Sequence, residues 1–187
     1  MRLRVTVAST QLPNAAATIQ AIVINSWRPY GLTLEWAGAQ DGGMAPDRVD
    51  AWIAAVDGMK PSPGGEMGQV LFNHGIPRPL IRISIDAVIA WVQRQQSTLF
   101  QTTGVFHFPT LGDTAALSAR ALGHIAAHEL GHFVLGRNSH ARSGLMDAQW
   151  KWNGVQATRL LNLESLPLDA ANASTLKARL AEAASCP

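Results

Sequence analysis

Hydrophobic and polar positions recur regularly along most of this chain of 187 residues. Residues 3–8 alternate, which is typical of a strand with one buried face. Residues 15–27 carry apolar side chains three and four positions apart, which predicts an amphipathic helix, and residues 32–36 alternate again. A strand, a helix and a second strand in this order predict a parallel pair of strands that the helix connects.

The middle of the chain shows further strand patterns between turn-forming residues. Residues 37–68 are rich in Gly, Pro and Asp, so we expect mostly loop there, with one apolar run at 49–56 as a candidate for a further strand. Residues 68–73 and 80–86 predict two more strands, separated by a turn that contains Gly and Pro. Residues 87–95 predict a short helix.

A long helix is predicted at residues 114–135, preceded by Asp113 as a candidate cap. Its 22 residues would span about 33 Å at the usual rise per residue. Residues 97–112 are expected to form a loop with a candidate strand at 105–108, and residues 168–184 predict a final amphipathic helix. These elements together predict an α+β fold.

The long predicted helix contains an HExxH sequence formed by His128, Glu129 and His132. On a helix, residues four apart lie about 40° apart around the axis and about 6 Å along it, so the two imidazoles can reach one ion. Glu129 is rotated by about 100° from His128, which places its carboxylate within reach of a water molecule beside that ion. Zinc-dependent hydrolysis requires this combination of neutral nitrogen ligands and a nearby carboxylate.

Two further features follow the HExxH sequence. Gly136 can adopt a left-handed conformation that ends the helix, so that His140 approaches the same ion from outside the helix. Three histidines with a fourth position left open form a catalytic type of zinc site. The sequence resembles the metzincin metallopeptidases of the zincin superfamily, whose pattern is HExxHxxGxxH followed by a Met-turn. The spacing here is HExxHxxxGxxxH, one residue longer on each side of the glycine, and Met146 follows in Ser-Gly-Leu-Met.

The resemblance implies zinc ligands at His128, His132 and His140, with Glu129 as the general base and Met146 as the floor of the site. The cofactor would be zinc, and the reaction would be the hydrolysis of peptide bonds by activated water. The substrate would therefore be a peptide or a protein.

The resemblance also implies an architecture. We expect a zincin-like α+β fold: a twisted mixed sheet with a backing helix and a long active-site helix, above a small, mostly helical C-terminal subdomain. One catalytic domain would cover residues 1–187, with an upper subdomain at about 1–136 and a lower one at about 137–187. In such enzymes an antiparallel edge strand pairs with extended substrate, and residues 69–73 are the candidate here. The alternative is an ordinary core strand.

Other residues keep more than one interpretation. His124 lies one turn before the HExxH sequence and is either a buried supporting side chain or a fourth ligand. Glu164 is the rival third ligand, because another HExxH class takes a glutamate from a later helix. Trp150 and Trp152 either form the wall of a substrate pocket or contribute to packing.

Composition and charge limit the kinds of partner that we expect this protein to bind. The net charge of +2 comes from scattered arginines, so no nucleic-acid-binding surface is predicted. The first ten residues contain no apolar run of signal-peptide length, and no segment has the length of a membrane span, so we expect a soluble protein without a membrane partner. We also expect a monomer. It would be secreted or periplasmic if a signal peptide was removed, and cytoplasmic otherwise. The single cysteine, Cys186, excludes an internal disulfide.

A second functional class is a zincin-fold module that binds a metal or a protein partner without useful proteolysis. The lengthened spacing and the small size of the chain motivate this alternative. The intact Glu129 favours an enzyme, because a structural metal site does not need a carboxylate at that position.

Overall fold

The structure is a computed structural model that describes residues 2–12, 14–36, 51–59, 66–103, 111–148 and 166–185. Its strands are β1 (Arg2–Ala8), β2 (Glu35–Trp36), β3 (Ala51–Val56), β4 (Gly68–Asn73) and β5 (Ile76–Ser84). Its helices are α1 (Ala15–Trp27), α2 (Ile85–Thr103), α3 (Leu111–Leu135) and α4 (Ala170–Ser185), and a short 3-10 turn (Arg28–Tyr30) follows α1. The described residues thus form a mixed fold of sheet and helices.

The described strands form one mixed sheet in the order β2-β1-β3-β5-β4. β1 pairs in parallel with β2 and β3, and β3 pairs in parallel with β5. β4 pairs antiparallel with β5 and lies at one edge. The predicted parallel pair around α1 is therefore confirmed, although β2 keeps only its last two predicted residues. The strand predicted at residues 68–73 is confirmed with its bounds, as an edge strand.

Helices cover one face of this sheet. Along β3, Ala51, Ile53 and Ala55 are fully buried, whereas Trp52 between them is 43% exposed. The helix α3 contacts β4 and β5 as well as α1 and α2, so it runs through the hydrophobic core. The helix α1 packs along α3, and the indole N–H of Trp27 donates to the carbonyl of Ala127 at 3.1 Å. Burial of these apolar faces against one another is the main driving force for this arrangement.

The central strands β3 and β5 differ from the sequence predictions. The run at 49–56, in a region expected to be mostly loop, forms the central strand β3, because pairing on both sides outweighs its weak local pattern. The strand β5 begins at Ile76 instead of residue 80, since its hairpin with β4 continues to the pair of Asn73 and Ile76.

The helices α2 and α3 are longer than predicted. α2 extends to Thr103 instead of residue 95, because neither Gly nor Pro interrupts the chain before Gly104. The expected loop at 97–112 is therefore wrong over residues 97–103 and 111–112, and its candidate strand at 105–108 lies outside the described residues. α3 begins at Leu111, so Asp113 lies inside the helix instead of capping it.

The final helix is confirmed within two residues of its predicted start. Asp169 caps it, because its carboxylate accepts the backbone N–H of Asn172 at 2.8 Å. Leu176 faces the core and is fully buried. Within the described ranges, no helix combines the length and the apolar character that crossing a bilayer needs.

Candidate metal centre

Three imidazoles meet where α3 ends. His128 and His132 lie in its last two turns, and His140 lies in the turn that follows. The Nε2 atom of His132 is 3.2 Å from Nε2 of His128 and 3.3 Å from Nε2 of His140. Among the described residues, these three form the group of potential metal ligands, with ligand atoms within 4.8 Å of one another. The structure therefore brings together the three histidines that the sequence singles out.

Backbone carbonyls hold the other nitrogen of both helical imidazoles. Nδ1–H of His128 donates to the Leu145 carbonyl at 2.6 Å, and Nδ1–H of His132 donates to the Arg137 carbonyl at 2.9 Å. Because a carbonyl only accepts, each neutral ring carries its proton on Nδ1 and its lone pair on Nε2. Two lone pairs that face each other at 3.2 Å repel unless a cation lies between them. The donor set therefore fits a divalent metal such as zinc, whose histidine ligands are held in this way.

Burial keeps the two helical imidazoles neutral. His128 and His132 are 7% and 3% exposed. Burial lowers the pKa of His128 to about 3, against the opposing effect of its hydrogen bond to Leu145. Burial likewise lowers the pKa of His132. The neutral form is the one that binds metals, so these two histidines do not need to lose a proton near neutral pH in order to bind one.

The carboxyl group of Glu129 lies between α3 and the edge strand. A Cβ atom on Gly68 would lie 2.8 Å from Cγ of Glu129, so the first residue of β4 packs directly on this side chain. Burial, followed by the charge of Glu66, raises the pKa of Glu129 to about 8, whereas the hydrogen bond from the Val70 N–H lowers it. A carboxyl group with a pKa in this range can take up and release a proton near neutral pH.

The chain leaves α3 through a Schellman motif at Gly136. This residue has a φ of +65°, and its N–H donates to the Phe133 carbonyl at 3.2 Å. The N–H of Arg137 donates to the His132 carbonyl at 3.2 Å, which completes the motif. The same turn places the Arg137 carbonyl on Nδ1 of His132. Helix termination and ligand orientation are thus parts of one local structure.

A second turn carries Met146 under the helix. The N–H of Ala141 donates to the Met146 carbonyl at 2.8 Å, and the N–H of Leu145 donates to the Pro167 carbonyl at 2.8 Å. The Met146 side chain is fully buried against Gly131, where a Cβ atom would collide with the Met146 sulfur. Glycine at position 131, between His128 and His132, therefore allows this methionine to approach the helix backbone.

A cleft of about 510 Å³ opens onto the three histidines. Its residues outside the HExxH sequence and His140 are Glu66, Met67, Gly68, Gln69, Val70, Trp91, Ile125, Asn138, Asp147 and Ala148. The start of β4 forms one wall, and apolar side chains from α2 and α3 contribute to the lining. The candidate strand for substrate pairing therefore lies in the same cleft as Glu129.

Among the described residues, His124 does not join this group. His124 is fully buried, which lowers its pKa to about 4, and it is not among the potential ligands that meet here. Three other candidates, Trp150, Trp152 and Glu164, lie outside the described residues, so their roles stay predictions.

Sequence reasoning missed several residues that shape the site. The carbonyls of Leu145 and Arg137 orient His128 and His132, but every residue type has a carbonyl, so no sequence signal could have found them. Trp91 and Glu66 line the cleft from segments whose position depends on the tertiary structure. Gly131 was detectable in principle, because a glycine inside a helix indicates a close approach.

No family model, curated protein or solved structure matches this chain. Conclusions about this site therefore depend on its own residues and geometry.

Proposed function

We propose that this protein is a zinc-dependent peptidase of the metzincin type, with a zincin fold, that hydrolyses peptide bonds. One observation carries the proposal. The Nδ1 protons of His128 and His132 are bound by carbonyls, so their Nε2 lone pairs converge with His140 beside the buried carboxyl group of Glu129. A structural metal site would not need that carboxyl group.

His128, His132 and His140 would hold the metal, and imidazole ligands suit zinc among the available divalent ions. When bound, zinc would supply Lewis acidity that polarises a carbonyl group and makes a water molecule more acidic. The rest of the chemistry belongs to side chains of the protein.

Glu129 is the general base of the proposed reaction. Its carboxylate takes a proton from the attacking water while the water oxygen forms a bond to the scissile carbonyl carbon. The same residue then delivers the proton to the leaving nitrogen as the C–N bond breaks. The hydrogen bond from the Val70 N–H orients the carboxylate beside the three histidines.

The edge strand β4 is the proposed binding surface for the peptide backbone. It lies at the edge of the described sheet, and Gly68, Gln69 and Val70 line the cleft. Strand addition would hold an extended peptide by its main chain, which requires little recognition of side chains. Trp91 and Ile125 would contact apolar substrate side chains in the same cleft.

The proposal is tested by metal analysis and peptide cleavage on the same samples. We expect one zinc ion per chain in the wild type and in Glu129→Gln, because residue 129 is not a ligand. Cleavage of a peptide library should occur with the wild type and fall by about 10²- to 10⁴-fold in the variant. Full activity of Glu129→Gln would show that another group is the base.

Two other outcomes would count against the proposal. Zinc without cleavage would favour a metal- or partner-binding module. Protein that takes up no zinc would exclude the metal centre itself.

A further inference from the structure

The last helix reaches the metal centre through one buried side chain. Asn172 lies in the first turn of α4 and is 2% exposed. Its Oδ1 atom accepts a hydrogen bond from Nη2 of Arg137. The backbone N–H of Asn172 is bound by the Asp169 cap, so the helix end does not depend on the Asn172 side chain for capping. The amide therefore contributes a long-range contact to the turn after α3.

The backbone of Arg137 makes two hydrogen bonds with His132. Its backbone N–H donates to the His132 carbonyl, and its own carbonyl accepts Nδ1–H of the same histidine at 2.9 Å. The Nε atom of Arg137 is buried and has no hydrogen-bond partner among the described residues. Without Asn172, the guanidinium would gain hydrogen bonds by turning towards water, because buried donors without partners are costly. Such a movement would pull on the backbone that orients His132.

We propose that Asn172 is a positioning residue of the metal centre. By holding the Arg137 side chain, it keeps the Arg137 carbonyl on Nδ1 of His132 and the Nε2 lone pair of His132 directed at the ion. This inference rests on the metal site of the proposed function. Hydrogen bonds that orient a ligand histidine typically contribute 10- to 100-fold to metal affinity.

A purely structural role is the competing explanation, since Asn172 also attaches α4 to the rest of the protein. Tyr30 provides a matched control, because its phenol oxygen accepts the backbone N–H of Leu168 at 2.6 Å. That bond also anchors the start of the last helix, but it does not involve Arg137. Tyr30→Phe should therefore lower thermal stability without changing metal affinity.

The experiment compares Asn172→Ala, Asn172→Asp and Tyr30→Phe with the wild type. Zinc affinity is measured by competition with a chromophoric chelator. The tautomer of His132 is read in the metal-free proteins from long-range ¹H–¹⁵N NMR spectra. We expect Asn172→Ala to weaken zinc binding by about 10- to 100-fold and to populate the Nε2–H tautomer of His132. Asn172→Asp keeps an acceptor for Arg137 and should restore the affinity and the Nδ1–H tautomer.

Arg137→Met removes the same hydrogen bond from the other partner and serves if Asn172→Ala does not fold. Its effect should not add to that of Asn172→Ala, because both changes break one contact. Wild-type zinc affinity and tautomer in both variants would overturn the inference. An equal loss of zinc affinity in Tyr30→Phe would also overturn it and assign Asn172 a general structural role.

The two measurements separate this inference from the proposed function. Wild-type protein that binds no zinc would refute the proposed function. The tautomer of His132 in the metal-free protein would still show whether Asn172 orients that ring. A wild-type spectrum with His132 protonated on Nε2 would refute the positioning role by itself.

Discussion

The ligands of the candidate metal centre are positioned in two different ways. His128 and His132 are buried on α3, where a four-residue spacing places them on one side of the helix. His140 is exposed and lies in the turn after Gly136. Local helix geometry therefore suffices for the first pair, whereas the third ligand depends on how the turn is held.

Long-range contacts hold that turn. The Leu145 N–H donates to the Pro167 carbonyl, and the Arg137 side chain donates to Asn172. Arg179 of α4 packs so closely on Gly136 that a Cβ atom there would collide with its guanidinium. The helical half of the site therefore depends on the core, whereas the turn half depends on contacts with residues 166–185.

Removing a ligand from each half should give the largest effects. We expect His128→Ala to weaken zinc binding by more than about 100-fold, beyond the usual cost of losing a supporting hydrogen bond. His140→Ala should weaken binding less, because water can occupy the position of an exposed ligand. Chelator competition measures both. Unchanged affinity in His140→Ala would assign the third position to Glu164 or another residue.

The buried, helical half of the site contains Glu129, and its titration should make the free energy of unfolding depend on pH. Burial and Glu66 raise the pKa of Glu129 from 4.5 to about 8, so the folded protein favours the protonated carboxyl group. This contribution to the free energy of unfolding is fully present below pH 4.5 and is lost as the pH rises through 8. Glu129→Gln carries no such proton. In the presence of a chelator, its stability relative to the wild type should rise by up to about 1.4 kcal/mol per pH unit.

Denaturant unfolding at pH 5.5 and 7.5 measures this difference. Because both proteins contain the same histidines, their titration cancels in the comparison. A constant difference between the two proteins would show that the pKa of Glu129 is not raised in the metal-free state.

The contact between Gly131 and Met146 can be tested by overpacking. Gly131→Ala places a Cβ atom where the Met146 sulfur lies, and we expect it to lower the free energy of unfolding by about 1–3 kcal/mol. Met146→Ala removes the collision but leaves a cavity. In a double-mutant cycle, the two changes together should cost less than the sum of their separate effects. Simple additivity would contradict direct contact.

The turn half can be tested at Gly136. Gly136→Ala should lower the free energy of unfolding by about 1–2 kcal/mol because of the left-handed backbone, and the collision with Arg179 should lower it further. Gly31→Ala is the matched control, since Gly31 has a φ of +79° and open space around a Cβ atom. The melting temperature and the zinc affinity should both fall further in Gly136→Ala than in Gly31→Ala. Equal effects would mean that the Arg179 contact does not stabilise the turn.

Much of the fold was predictable where the pattern was local. The helix α1, the strand β4 and the HExxH helix follow from periodicity, because each buries one face of a regular element. The strand β3 was harder to predict. Three of its six residues are alanine, and its place at the centre of the sheet depends on pairing with β1 and β5.

The spacing of His128 and His132 is enough to place them on one side of a helix, and glycine at position 136 is enough to allow that helix to end, because both depend only on local geometry. The carbonyls that orient these rings, the burial of Glu129 beneath β4 and the contact of the last helix with the turn all depend on the tertiary structure. These contacts join residues distant in sequence. They depend on packing and on the hydrogen bonding of buried polar groups, neither of which leaves a local pattern.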